Sequence, residues 1–288
     1  MATHETGTSE TGTSETGTAQ SYIAEVLDRR QLSPHLMRIV LGGEGIRGFR
    51  STGQPDEAVL LTLPQHEDGD CRWYSVRHVD GDRSITIDVA LHESGIATTW
   101  ARNARVGERV SMSGSKGWYK APADASWFVL LADLTGLPAV GRILDELPAG
   151  VPVRAVIETP SPHDRLTLHS RADLEVAWLD NPDQQNGSSL LPAALSDIRL
   201  PDGPGYVWLA AETAATRVMR KDLRHERGLP HTAYSVVGYW RTKADEWLER
   251  YLTLPVDLDS MWQEAEKPGA DAELIEDQIE AILERAGL

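Results

Sequence analysis

Hydrophobic and polar residues alternate in several short segments along the first part of the chain, and this pattern predicts β-strands that bury one face. Residues rich in Gly, Pro and Asp separate the segments, as is typical of turns. The predicted strands are residues 23–27, 36–41, 58–63, 72–77, 84–91 and 109–112. Six strands at this spacing predict a small antiparallel Greek-key β-barrel, which we place at residues 21–122.

The pattern changes after Pro122, where continuous apolar strands alternate with helices. The predicted strands are residues 127–132, 153–157, 174–179, 206–211 and 233–237, and the predicted helices are residues 138–147 and 215–227. This alternation predicts a parallel sheet with helical crossovers. The barrel is therefore followed by an α/β domain, which we place at residues 123–255.

The last part of the chain, residues 256–288, is predicted to be a helical extension. Apolar residues at helical spacing form one face of its final helix. They are Leu274, Ile275, Ile279, Ile282 and Leu283. This face can pack against the second domain or form a contact between subunits, and the sequence leaves both interpretations open.

The chain opens with a repeat of Glu, Thr, Gly, Thr and Ser that contains almost no apolar side chains. Such a segment cannot bury enough surface to fold, so we predict a disordered tail over residues 1–20. The net charge is −16, and the tail's glutamates account for only three of these charges. A chain this acidic is not expected to bind nucleic acid.

Several classes of protein are disfavoured by what the sequence lacks. No apolar run approaches the length of a membrane-spanning helix, and the N-terminus has no basic region followed by an apolar core, so we expect a cytoplasmic protein without membrane insertion. Cys71 is the single cysteine, which excludes an internal disulfide and an iron–sulfur cluster with four cysteine ligands. The histidines are scattered without metal-ligand spacing, so no protein-bound metal is expected.

The run Arg-Trp-Tyr-Ser-Val-Arg at residues 72–77 combines aromatic rings, a hydroxyl and two guanidiniums on one short strand. Neighbouring side chains of a strand point to opposite faces. A flavin that lies across the strand end can stack on Tyr74 and accept a hydrogen bond from Ser75 at its N5 atom, while Arg72 and Arg77 bind phosphates. The alternative is an ordinary barrel strand with salt bridges at its edge.

A second candidate segment follows the next predicted strand. There Gly95 opens a short predicted helix that contains Ala97, Thr98 and Thr99. Glycine allows a backbone to approach a ligand closely, and a helix N-terminus binds anions. This segment therefore offers further phosphate contacts. A glycine-rich loop is predicted beyond it, at residues 114–117.

The successive segments RWYSVR, LHESGIATTWA and VGERVSMSGSKG resemble the FAD-binding half of the siderophore-interacting proteins. These are flavin-dependent ferric-siderophore reductases within the ferredoxin-reductase-like superfamily. The later segments WFVLLADLTGLPAVGRILDELP, VWLAAETAATRVMRKDLRHERGL and SVVGYWR resemble the second half of that family in the same order, so the likeness runs from about Tyr22 to about Arg241. It implies a FAD-binding barrel followed by an NAD(P)H-binding-like α/β domain.

The residue chemistry and the resemblance together give the candidate cofactor site. We expect Tyr74 and Ser75 to be catalytic. The expected FAD contacts are Arg72, Tyr74, Ser75, Val76, Arg77, Asp88, His92, Gly95, Ala97, Thr98, Thr99 and Trp240. Two of them have alternative interpretations, since His92 can be a hydrogen-bonded structural histidine and Trp240 a wedge between domains.

Ligands of parallel sheets lie beyond the carboxyl ends of the strands. We therefore expect NADPH or NADH to contact Asp133, Thr135 and Glu212. No GxGxxG motif is present, Leu134 stands where the family pattern leads us to expect a second carboxylate, and Ile96 stands where we expect proline. The alternative for Thr135 and Glu212 is a structural role, because a threonine or glutamate beside a helix start can cap the helix.

Basic side chains are the candidate contacts for an iron chelate. They are Lys116, Lys120, Arg241 and Lys243. The alternative for each is solvated surface charge. The resemblance implies a ferric siderophore as substrate, and the acidic chain favours neutral or cationic hydroxamate-type chelates over highly anionic ones.

The resemblance implies that NADPH or NADH passes a hydride to flavin N5 beside Ser75, and that reduced flavin then passes electrons to an Fe(III) chelate with release of Fe(II). Ferredoxin is an alternative electron donor. Two other functions stay open, a flavin oxidoreductase that reduces an organic biosynthetic intermediate and a non-catalytic flavin-binding module. The sequence does not determine the chelate or the oligomeric state.

Overall fold

A computed structural model of the chain describes residues 20–63, 71–93, 95–265, 267 and 272–288. The described chain divides into two compact units, one made of residues 20–241 and one that contains residues 242–288. The disordered tail predicted for residues 1–20 lies outside the described residues, apart from its last position. The domain boundaries predicted after residues 122 and 255 stay predictions.

The first unit begins with a closed barrel of antiparallel strands. They are β1 (Ser21–Ser33), β2 (Leu36–Gly42), β3 (Ala58–Thr62), β4 (Cys71–Asp80), β5 (Ser84–Ala90) and β6 (Arg109–Lys116). Their order around the barrel is β1-β2-β5-β4-β3-β6, which confirms the predicted six-stranded Greek-key barrel. The alternating apolar residues fill its interior, where Ile39, Leu61 and Ile87 are fully buried.

The glycine-rich loop predicted at residues 114–117 was wrong, because β6 continues to Lys116. Gly114 instead forms a β-bulge, since Val59 of β3 pairs with Ser115 and Leu60 with Ser113. Its φ of 60° suits glycine, and a Cβ added there would lie 3.2 Å from the ring of Trp73. The glycine thus marks an irregular position within a strand, and sequence pattern does not separate this case from a turn.

Helix α1 (Ile96–Asn103) forms after Gly95, where a short helix was predicted. It packs against the barrel core. Trp100 and Ala101 are buried in the barrel core. The indole N–H of Trp100 donates to Glu108 Oε1 at 3.0 Å, so this large side chain is satisfied as well as buried. The helix is thereby fixed with its N-terminus beside the end of β5.

The rest of the first unit is a parallel sheet with helices on its faces, as predicted. Its elements are β7 (Phe128–Ala132), α2 (Leu137–Glu146), β8 (Pro152–Thr159), β9 (Asp173–Asp180), α3 (Leu191–Asp197), β10 (Tyr206–Glu212), α4 (Thr213–Lys221) and β11 (Tyr234–Trp240). The strand order is β11-β10-β7-β8-β9. The central strands β7 and β10 are buried throughout, which explains their continuous apolar sequence.

Two buried ionic contacts join the barrel to the α/β part. Arg142 of α2 donates to Glu57 at 3.2 Å and to the carbonyl oxygen of Val76 at 3.2 Å. Asp164 accepts hydrogen bonds from Ser33 Oγ, the His35 backbone N–H and His35 Nδ1 at 2.7, 2.9 and 2.8 Å. These charged hydrogen bonds hold the two halves in register within one unit.

The second unit contains α5 (Ala244–Leu252), α6 (Leu258–Ala265) and α7 (Ala272–Arg285). Leu258, Ile279 and Leu283 form its small core, whereas Leu274 of the predicted apolar face is 52% exposed. The face of α7 therefore packs against α6 of the same unit. Among the described helices, none has the length and apolar character needed to span a membrane.

Candidate functional site

Strand β4 carries the two side chains predicted to be catalytic, and they lie on opposite faces of the barrel wall. Tyr74 packs against the barrel core, and burial raises the pKa of its hydroxyl, while the charge of Arg72 lowers it. Ser75 is 7% exposed, and its hydroxyl donates to the Tyr239 hydroxyl oxygen at 3.2 Å. Tyr239 belongs to β11, so the barrel strand meets the α/β part at Ser75.

The two arginines of the β4 motif have different surroundings. Arg72 is exposed, and its Nη1 donates to the Cys71 carbonyl oxygen at 2.9 Å. Arg77 occupies a β-bulge, and its Nη1 donates to Asp145 of α2 at 2.6 Å. Its guanidinium also lies against Gly141, where an added Cβ would come within 2.8 Å of Nε. The phosphate contact expected of Arg77 stays a prediction, and the structure uses the side chain to bind α2.

Two further predicted cofactor contacts are satisfied within the protein. Asp88 accepts two hydrogen bonds from Arg38, at 2.6 and 2.7 Å, in a bidentate pair. Val76 is fully buried, its N–H donates to the Glu57 carbonyl oxygen at 2.7 Å, and its own carbonyl accepts from Arg142. Contacts from these residues to a cofactor stay predictions.

The start of α1 is open in the way that an anion site requires. Gly95 has φ 124°, no described atom lies within 4 Å of a Cβ added there, and Gly95, as the N-cap residue, has no side chain that could cap the helix. Thr98 is buried and accepts a hydrogen bond from the His92 N–H at 3.0 Å, whereas Thr99 is exposed and Ala97 is partly buried. The uncapped N–H groups of the first turn can therefore receive a phosphate.

Asp133, at the carboxyl end of β7, is a buried hub of hydrogen bonds. Its Oδ1 accepts from the N–H and hydroxyl of Thr135, and its Oδ2 accepts from the Trp240 indole at 2.6 Å and the Glu212 N–H at 3.0 Å. Burial raises the pKa of Asp133, and the hydrogen bonds from Thr135 and Trp240 oppose this effect. The carboxyl group therefore holds the ends of β7, β10 and β11 together.

The helix-capping role that the sequence left open for Glu212 and Thr135 is present for Glu212 and absent for Thr135. Glu212 caps α4, because its carboxylate accepts from the N–H groups of Ala214 and Ala215 at 2.5 and 3.2 Å. Thr135 does not cap α2, since the N-cap is Gly136 and Thr135 bonds to Asp133 instead. Nucleotide contacts by Thr135 and Glu212 stay predictions.

Trp240 and His92 meet where the barrel faces the sheet edge, with ring centroids 5.8 Å apart. Burial lowers the pKa of His92, and nearby His35 lowers it further. A small cavity of about 10 Å³ lies here, lined by Ala90, His92, Leu134, Thr135, Pro160, Gln184, Gln185 and Trp240. Gln184, Gln185 and Tyr239 were not predicted from the sequence. The two glutamines lie in a polar, turn-rich segment without a motif, whereas Tyr239 directly precedes Trp240 in GYWR.

The predicted chelate contacts have different surroundings. Lys116 lies between two indoles, with Nζ 4.1 Å from the ring centroid of Trp73 and 4.9 Å from that of Trp118, and burial lowers its pKa. Lys120 is exposed. Arg241 ends the first unit, while Lys243 belongs to the second and pairs with Glu246 at 3.7 Å.

The donor groups around β4 and α1 fit a flavin dinucleotide. The exposed guanidinium of Arg72 and the uncapped first turn of α1 suit a pyrophosphate, and Tyr74 and Ser75 offer an aromatic ring and a hydroxyl. Within the described ranges, no three His, Cys, Asp or Glu side chains are grouped closely enough to hold a metal ion.

Comparison with protein families gives two matches. The model described as siderophore-interacting protein matches residues 125–243. The model described as siderophore-interacting FAD-binding domain matches residues 25–71 and 62–119. The two matches correspond to the α/β part and to the barrel.

Individual relatives agree with these matches. An uncharacterized protein of Mycobacterium tuberculosis is 31% identical over 75% of this chain and 89% of its own length. The NADPH-dependent ferric-chelate reductase of Escherichia coli is 24% identical over 76% of this chain and 92% of its own. The crystal structure of a siderophore utilization protein from T. fusca superposes with a TM-score of 0.68 and 32% identity over 80% of this chain and 95% of the other. The chain belongs to the siderophore-interacting protein family.

Proposed function

We propose that this protein is a FAD-dependent ferric-siderophore reductase that takes electrons from NADPH or NADH and releases Fe(II) from an Fe(III) chelate. The observation that carries the proposal is the β4 motif, where Arg72 is exposed and Ser75 donates to Tyr239 of β11 at the place where the barrel meets the α/β part. The name of the Escherichia coli relative, an NADPH-dependent ferric-chelate reductase, supports the same activity.

The residues have distinct roles in this proposal. Arg72 and the first turn of α1 bind the pyrophosphate of FAD, and Tyr74 packs on its ring system. Ser75 supplies a hydroxyl at the reacting edge of the ring, where Tyr239 holds it in place at 3.2 Å. When bound, FAD supplies two-electron uptake from a nicotinamide and single-electron delivery to iron.

Reduction by itself loosens the chelate, so the protein needs no iron ligand of its own. Hard oxygen donors bind Fe(III) more strongly than Fe(II), which carries less charge and is softer. The task of the protein is then to bring the chelate near the flavin edge. Lys116, held between Trp73 and Trp118, offers a cation on the same side of β4 as Ser75.

An anaerobic visible spectrum of the FAD-loaded protein tests the proposal. Addition of NADPH or NADH should bleach the flavin band, and a ferric hydroxamate chelate added afterwards should restore it while Fe(II) accumulates. If only ferredoxin reduces the flavin, the proposed electron donor is wrong and the proposed ferric reductase activity is retained. A reduced flavin that transfers no electrons to hydroxamate or catecholate ferric chelates would refute the proposed function.

A further inference from the structure

A buried amide beside the sheet edge has an acceptor that the fold does not use. Gln184 lies in the turn Gln184–Asn186 just after β9 and is 5% exposed. Its backbone N–H donates to the Asn181 carbonyl oxygen at 3.2 Å, which fixes the turn. Its side-chain Oε1, however, is buried and accepts no hydrogen bond from any described residue. Such an atom is unfavourable in a folded protein unless a ligand or water supplies the donor.

The surroundings of this amide indicate the shape of its partner. Gln184 lines the cavity together with Leu134, Pro160 and the indole of Trp240, whose surfaces are mainly apolar. The indole N–H of Trp240 already donates to Asp133 and is therefore not directed to Gln184. A ligand that satisfies Oε1 here supplies an N–H or O–H donor from a mainly apolar body, and an aromatic ring suits this place because it can stack on the Trp240 indole.

The position of the cavity distinguishes among such ligands. Its other wall is formed by Ala90 and His92, at the end of β5 and beside the predicted flavin-binding turn of α1. To react with a flavin held by the barrel, a nicotinamide must lie between the barrel and the sheet edge, where His92 and Trp240 meet, whereas the adenine of the same dinucleotide need not. The carboxamide of nicotinamide carries the required N–H donors on an aromatic ring.

We infer that Gln184 is a specificity determinant for the electron donor, and that its Oε1 accepts a hydrogen bond from the carboxamide N–H of the nicotinamide ring. The inference rests on the proposed use of NADPH or NADH. The cavity of about 10 Å³ is smaller than this ring, so binding must displace a lining side chain. Trp240 is the partly exposed lining residue with the largest volume, and its release breaks one hydrogen bond to Asp133.

Calorimetric titration of the full-length, FAD-loaded protein with oxidised dinucleotides tests this inference without turnover. The ligands are NADP⁺, NAD⁺ and their 3-acetylpyridine analogues, in which a methyl group replaces the carboxamide nitrogen. The wild type should bind the parent dinucleotide about tenfold more tightly than its analogue, because one hydrogen bond is lost. Gln184→Met should bind both equally. Gln263→Met, at an exposed position of α6, should keep the wild-type preference.

The outcomes separate this inference from the proposed function. Equal affinity of the wild type for parent and analogue would overturn the role of Gln184 while leaving a nicotinamide-dependent enzyme, and this arm does not depend on any variant folding. A Gln184→Met protein with weakened FAD binding and an intact preference for the parent would also overturn it, by assigning the amide to the flavin. Failure of every dinucleotide to bind would refute nicotinamide as the donor, and the inference with it.

Discussion

The barrel strand β4 and the carboxyl edge of the parallel sheet differ in how they use their polar residues. On β4, Arg72 is exposed, Tyr74 packs against the barrel core, and Ser75 on the opposite face donates to Tyr239. At the sheet edge, Asp133 accepts hydrogen bonds that join strand ends, and Glu212 accepts hydrogen bonds that cap a helix. The acidic residues at these strand ends therefore have a structural use in the fold, and their contacts to a nucleotide stay predictions.

A third carboxylate at the sheet edge extends this contrast and gives the largest expected effect. Glu158 is fully buried and accepts from Asn181 Nδ2, Ser189 Oγ at 2.7 Å and the Leu190 N–H at 3.0 Å. Glu158→Ala should lower the free energy of unfolding by about 3 kcal/mol, because buried donors lose their acceptor. Urea unfolding measures this change.

Glu175 provides the matched control, because it lies exposed on the neighbouring strand β9. Glu175→Ala should change stability by less than about 0.5 kcal/mol. Equal effects of the two substitutions would contradict a structural role specific to the sheet edge.

Asp133→Asn should have the next largest effect, since the amide retains the size of the side chain but not its charge. In the wild type, Thr135, Glu212 and Trp240 all donate hydrogen bonds to the Asp133 carboxylate. Replacing a charged acceptor should cost about 2 kcal/mol in the free energy of unfolding and shift the Trp240 fluorescence. Trp240→Phe, which removes one donor only, should cost less. An unchanged stability in Asp133→Asn would show that the carboxyl group is not needed to hold the strand ends.

Tyr74 tests the other side of the comparison, because its ring packs against the barrel core and is also expected to contact the cofactor. Tyr74→Ala should weaken FAD binding about tenfold, since an aromatic stacking contact contributes roughly 0.5–1.5 kcal/mol beyond area burial. Tyr74→Phe keeps the ring and should bind FAD with nearly wild-type affinity. Flavin fluorescence titration measures both dissociation constants. Equal losses in Ala and Phe variants would assign the contact to the hydroxyl.

The hydrogen bonds of Asp164 join the barrel to the α/β part. The stability that they contribute should be lost in acid. Burial raises the pKa of Asp164, but the hydrogen bonds from Ser33 and His35 outweigh this and leave the pKa below its usual value of 3.8. The stability that Asp164 contributes is therefore full above that value and is lost as the pH falls through the lowered pKa. Thermal unfolding of wild type and Asp164→Asn should differ at pH 6 and converge in strong acid. A constant difference across this range would contradict an ionic joint.

Local sequence patterns predicted most of the fold, because burial on one face or on both faces leaves a regular mark. The alternation in Ile85 and Ile87 indicated a barrel strand, and the continuous apolar run of β7 indicated a buried parallel strand. The prediction failed at Gly114, where one glycine is equally consistent with a turn and a bulge. Helix α3 was not predicted, because its seven residues are too few for a clear helical period.

The sequence by itself determined the barrel, the sheet and the residue types that can bind a flavin, since strand periodicity and the RWYSVR motif are local properties of the chain. Only the tertiary structure decided how those residues are used. Arg77 pairs with Asp145 and Gln184 approaches Trp240 and His92 across the fold, and these partners are far apart in sequence. Local pattern carries no information about such pairings, because they depend on how strand ends from the barrel and the sheet come together.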